Sequence, residues 1–175
     1  MRAADGWGTL GRMTQPVRDA LGPPALELGS FRLWIHRRQF EDAMDRWDGN
    51  WLVVTAQAAG AGAAVTVTGP ILEAEDLKRF RDEVARLLRL QAGDAMLASA
   101  EPNLQIRIAP AGGPGRVSVR VDLTSQPGAQ GHWFASTIDH GALTGLLVQL
   151  EETVEAYPVR GRPNLSPGAA ASSSI

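Results

Sequence analysis

The chain has three histidines, at positions 36, 132 and 140, and only His140 has neighbours suited to hydrolysis: Asp139 beside it and Ser136 four residues earlier. A triad needs nucleophile, base and orienting acid to meet in space. Adjacent residues on a strand or helix point in different directions, so nearness in sequence is misleading here. The simpler reading makes Asp139 a helix N-cap and His140 an exposed residue of the first turn. There is no G-x-S-x-G elbow. His132 and His140 do not have the i, i+4 spacing of H-E-x-x-H. Cysteine is absent, which removes disulfides, thiolate nucleophiles and Cys-type zinc sites, and fits a reducing compartment. The residues therefore offer no catalytic set, no metal site and no cofactor.

Two glycine clusters need the same scrutiny. Gly60-Ala61-Gly62 begins like a dinucleotide fingerprint, but it lacks the third glycine and leads into a strand, where a phosphate site needs a helix N-terminus. Gly112-Gly113-Pro114-Gly115 lacks the Lys-Ser/Thr of a P-loop. Both read as turns. Of the carboxylate clusters, Glu73-Glu75-Asp76 and Glu151-Glu152-Glu155 belong to the polar parts of amphipathic helices, where charge serves solvation. Glu41-Asp42-Asp45-Asp48 falls in an inter-strand loop beside Trp47 and Trp51, and aromatics with polar neighbours recur at interfaces.

The remaining candidate is Arg32-Leu33-Trp34-Ile35-His36-Arg37-Arg38. Strand alternation puts Arg32, Trp34, His36 and Arg38 on one face, with Arg107 and Arg120 as neighbours from later strands. A nucleic-acid site would sit in a basic domain. Here the net charge is −2, and between Glu27 and Val159 there are 12 Arg/Lys against 17 Asp/Glu. No nucleic-acid partner is expected. Arg and Trp are enriched at protein hot spots, so Arg32, Trp34, His36, Arg107 and Arg120 form the candidate binding set.

Positioning these residues requires a sheet. The 175 residues suit one domain. Residues 1–26 are rich in Gly and Pro without periodicity, and residues 160–175 are low-complexity. Both are expected to be flexible tails around a single domain, 27–159. No h-region marks the start and no apolar run reaches about 18 residues, so neither export nor a membrane span is expected. Leu26–Phe40 alternates as one strand; 51–58 and 64–68 form a hairpin, the second strand ending at Gly69-Pro70. Residues 73–90 put Leu77, Phe80, Val84, Leu87 and Leu88 on one helical face, with Gly93 as the stop. Strands follow at 95–100, 103–109, 115–124 and 131–137, and a helix at 139–157 is stopped by Pro158. No internal repeat is visible. The expected fold is α+β, in the order β-β-β-α-β-β-β-β-α: a mostly antiparallel sheet of about six to seven strands with two amphipathic helices on one face. The opposite face keeps the binding set and Trp133.

The run Trp47-Asp48-Gly49-Asn50-Trp51-Leu52-Val53-Val54, the E-x-x-D-L-x-x-F helix from Glu73 to Phe80, Ala100-Glu101-Pro102-Asn103-Leu104 before a strand, and a closing helix opened by Asp139-His140 and continued by Leu143 and Leu147 together resemble the WapI-type bacterial immunity proteins or a neighbouring uncharacterised bacterial family. The resemblance covers residues 28–157. It implies a cytoplasmic, non-enzymatic protein-binding module that neutralises a cognate toxin, and it carries over no binding residue. Taken without it, the residues leave a second class open: a small-ligand binder or enzyme acting on an anionic substrate through the Arg/His/Trp face. A deep pocket with converging polar groups would favour that class.

Overall fold

The computed structural model describes residue 17, residues 19–113 and residues 115–161. The order is β1 (Leu26–Leu28), β2 (Phe31–Arg38), β3 (Trp51–Gly60), β4 (Ala63–Glu73), α1 (Ala74–Leu90), β5 (Ala95–Ala98), β6 (Leu104–Pro110), β7 (Arg116–Leu123), β8 (His132–Asp139) and α2 (His140–Ala156). Val17 and residues 19–21 are also helical. The strands form two antiparallel sheets, β1-β2-β3-β4 and β5-β6-β7-β8. The fold is α+β as expected, but the described residues form eight strands in two sheets rather than about six to seven in one.

Local chemistry explains the extra strand. Gly29 adopts φ +59 and turns the chain between Leu28 and Phe31, so the long alternating run is two paired strands. Its apolar phase survives the turn, because Leu26, Leu28, Phe31 and Leu33 are all buried. Strand β4 also runs past Gly69-Pro70, its expected end. It is an edge strand, where proline's missing N–H breaks no ladder, and Pro70 lies opposite Val53 beside an irregularity in register. The hairpin between β3 and β4 is as expected: Ala61 (φ 47) and Gly62 (φ 84) both take the positive φ that a two-residue type I′ turn requires.

Strands β4 and β5, on either side of α1, do not pair, which separates the sheets. Each helix instead satisfies a sheet edge. Met96 N–H on β5 donates to Glu83 Oε2 of α1 at 2.7 Å, and Glu27 N–H on β1 donates to Gln149 Oε1 of α2 at 2.7 Å. A four-strand-plus-helix order thus occurs twice in a chain that shows no sequence repeat.

Both sheets and both helices feed one continuous core, with Phe31, Leu52 and Leu72 from the first sheet, Leu97, Ile106 and Leu123 from the second, Phe80 from α1 and Leu146 from α2. Each such side chain contributes about 1.5–3 kcal/mol on burial. Helices α1 and α2 touch, so they form a shared layer rather than two separate covers. Asp139 caps α2, accepting from Ala142 N–H at 2.8 Å, and His140 is exposed in the first turn, as read from the sequence. Helix α1 ends at Gln91 in the left-handed region (φ 50), two residues before the expected Gly93.

Most of the expected N-terminal tail, 1–26, and residues 162–175 of the C-terminal one lie outside the described residues. Ala25 N–H donates to Leu33 O at 2.8 Å. Arg160 N–H donates to Asn50 Oδ1 at 2.8 Å, and its guanidinium reaches the carbonyls of Glu41 and Ala43. Among the described residues no helix is long and apolar enough to cross a membrane, which says nothing of a β-barrel.

Candidate functional site on the second sheet

The five residues expected to share a face are divided between the two sheets. On the first sheet Trp34 is 3% exposed, and its indole Nε1–H donates to Gly22 O at 2.9 Å. Thr55, Gln57 and Ala59 on the same side are buried too. Arg32 is half-buried and donates to Glu27 Oε1 at 3.1 Å. His36 is exposed and bonded to Thr55 Oγ1 at 2.8 Å, which in turn meets Thr68 Oγ1 at 2.8 Å. Arg38 does not join them. A register shift between Ile35 and Arg37 reverses the alternation and turns Arg38 inward. There it donates to Gly49 O at 2.6 Å and Pro158 O at 2.5 Å, with its guanidinium 5.9 Å from the Tyr157 ring. Burial, and then the charge of Arg160, lower its pKa.

The outer face of the second sheet is open. Unbroken period-two patterns point Leu104, Ile106 and Ile108 of β6 and Val117, Val119, Val121 and Leu123 of β7 into the core. Their alternates therefore all face outward. Register then sets two rows across the strands: Met96, Arg107, Arg120 and Ala135, and beside it Ala98, Gln105, Asp122 and Trp133.

Arg107 and Arg120 are direct cross-strand partners, an arrangement of like charges that destabilises unless compensated. Each has a carboxylate. Arg107 Nε donates to Asp94 Oδ2 at 2.8 Å. Arg120 grips Asp122 bidentately, Nε to Oδ2 at 2.8 Å and Nη2 to Oδ1 at 2.7 Å, and this hydrogen bonding raises the pKa of Arg120. The Arg120 guanidinium also lies 5.2 Å from the Trp133 ring centroid, a cation–π distance. Trp133 is 62% exposed.

Three cavities of about 390, 460 and 540 Å³ adjoin across this face. Arg107 and Arg120 border two of them, Gln105 and Asp122 link another pair, and Trp133 and His132 line one end. Together they make one open trough. Both of its arginines are ion-paired on the exposed face. Among the described residues no group of three or more His, Cys, Asp or Glu could hold a metal ion. The trough therefore holds an exposed aromatic ring, a guanidinium fixed over it and a polar rim.

Arg107 and Arg120 are the members of the expected set found here. Trp133 was readable as a residue of the open face, but not as the ring that Arg120 covers. Met96 and Asp94 were missed. The alternation in Ala95-Met96-Leu97-Ala98 carries the signal for Met96, whereas Asp94 precedes the strand and joins the site only through the fold.

Residues 26–158 match the family model described as the Immunity protein WapI-like family. No curated protein matches the chain. Among solved structures it is similar to one described as crystal structures of trypanosoma bruciei MRP1/MRP2, at 15% identity and TM-score 0.40, covering 83% of this chain and 93% of that one. It is likewise similar to one described as a guide RNA-binding protein complex bound to a gRNA, at 15% identity and TM-score 0.40, covering 79% of this chain and 94% of that one.

Proposed function

The chain belongs to the WapI-like immunity protein family, and on that premise we propose that it is a non-enzymatic binding protein that neutralises a toxin, using the outer face of its second sheet. The observation that carries the choice of face is Trp133, 62% exposed and held under the Arg120 guanidinium. Exposed tryptophan costs a domain solubility, and Trp and Arg are the residues most often found to dominate protein interfaces. The Asp122 and Asp94 pairings fix both arginines before a partner arrives, which lowers the ordering cost of association. The first sheet offers less, because Trp34 is buried and the Arg32 side chain is largely buried as well.

The test begins with cross-linking and capture from the native host, using the wild-type chain and Arg120→Ala/Trp133→Ala. The captured protein is then expressed alone and with each form. The expected result is growth arrest by the partner alone, rescue by wild type, and rescue weakened at least about thirtyfold in protein dose with the variant, matching loss of about 2 kcal/mol or more of binding. A captured partner that is harmless by itself overturns the immunity reading. Equal rescue by the variant overturns the face.

A further inference from the structure

We infer that the β2–β3 loop, residues 39–50, is a second docking surface, built to receive a basic amphipathic segment of a partner protein. The inference does not rest on the sheet-face reading. Within eight residues the loop exposes three large apolar side chains: Phe40 at 45%, Met44 at 68% and Trp47 at 79%. Isolated exposed apolar residues are ordinary, but three gathered on one short segment are the mark of an interaction surface.

The loop is also fixed in place. Asp45 Oδ1 accepts from Trp47 N–H at 2.8 Å and from Asp48 N–H at 2.9 Å. Buried Asn50 donates to Arg46 O and Arg160 O, and Arg160 in turn holds the carbonyls of Glu41 and Ala43. Arg38 holds Gly49 O from beneath. Side chains of β2, the loop's own end and the C-terminal stretch therefore clamp its backbone, while its apolar side chains are left in solvent. Presenting them already ordered removes part of the entropy cost of binding.

Charge names the occupant. Glu41, Asp42, Asp45 and Asp48, all exposed, are interspersed with the apolar residues along the loop, and the loop's single cation, Arg46, pairs with Glu75 at 3.4 Å. The N–H groups of Asp48 and then Trp47 hold the Asp45 carboxyl below its ordinary pKa. A segment with apolar residues on one side and Lys or Arg around them complements both features.

The probe is a fluorescently labelled leucine–lysine peptide, about five helical turns long, with a leucine–glutamate peptide of the same spacing as its counterpart. Anisotropy is read against the full chain and three variants of equal thermal midpoint. Phe40→Ser/Met44→Ser/Trp47→Ser and, separately, Glu41→Gln/Asp42→Asn/Asp48→Asn are each expected to weaken the lysine peptide at least tenfold. Binding should also fall as salt rises from about 0.05 to about 0.3 M. Arg107→Ala/Arg120→Ala/Trp133→Ala should leave it unchanged, so failure of the sheet-face reading and failure of this one are separable. No binding of the lysine peptide, equal binding of the glutamate peptide, or full affinity in the apolar variant overturns the inference. So does a loss confined to the sheet-face variant.

Discussion

Replacing Trp34 decides whether the outer face of the first sheet is framework or interface. The side chain is 3% exposed, and its indole N–H is spent on the Gly22 carbonyl. A tryptophan buries up to about 250 Å². At roughly 25 cal/mol/Å² that is at most about 6 kcal/mol, an upper bound because the unfolded chain already hides some of this surface. Measured truncations of large core aromatics cost about 3–5 kcal/mol, so Trp34→Ala should lose about 4 kcal/mol. Trp34→Phe keeps most of the apolar area and loses the hydrogen bond, for about 1–2 kcal/mol. Urea unfolding followed by circular dichroism gives both values, with an unchanged slope as the sign that only stability has moved. In the rescue assay Trp34→Phe should behave as wild type. A loss below about 1 kcal/mol for Trp34→Ala, or failed rescue by a stably folded Trp34→Phe, would show that Trp34 serves binding and that the burial argument is wrong.

Phe80, fully buried on α1 where both sheets and α2 converge, should cost about 3–5 kcal/mol as Phe80→Ala, whereas Val148→Ala on the exposed side of α2 should stay within about 0.5 kcal/mol; denaturant midpoints of the two variants measure the contrast. Burial, and then repulsion from Asp76 and Glu75, raise the Glu73 pKa, so its ionised form weakens the fold. That penalty is complete above the raised folded-state pKa and vanishes below the unfolded value of about 4.3. Glu73→Gln should therefore raise the thermal midpoint near neutral pH and leave it unchanged at about pH 3; an equal shift at both would point to packing instead of charge.

The two helices were legible in the sequence to within a residue, because their apolar stripes and the Asp139 cap are properties of one short segment. The same holds for β6 and β7, where strict alternation sorts core from surface without reference to anything distant. Alternation also shows that a strand has two faces, but not whether something covers the second. Trp34 and Arg120 look alike in sequence, each an outward residue on an alternating strand. Trp34 is buried with its indole bonded to Gly22, whereas Arg120 lies in the open over Trp133. Arg38 was lost to a single bulge, which reverses phase and is set by pairing with β3 rather than by β2 itself. The separation into two sheets, the helix side chains that cap β1 and β5, and the meeting of Asp94 with Arg107 all join residues far apart along the chain. Periodicity and capping act over a few residues, so the sequence alone determined the two helices, the strands of the second sheet and their apolar faces. Coverage, register and charge pairing depend on which distant segments come to lie together, and only the tertiary structure decided those.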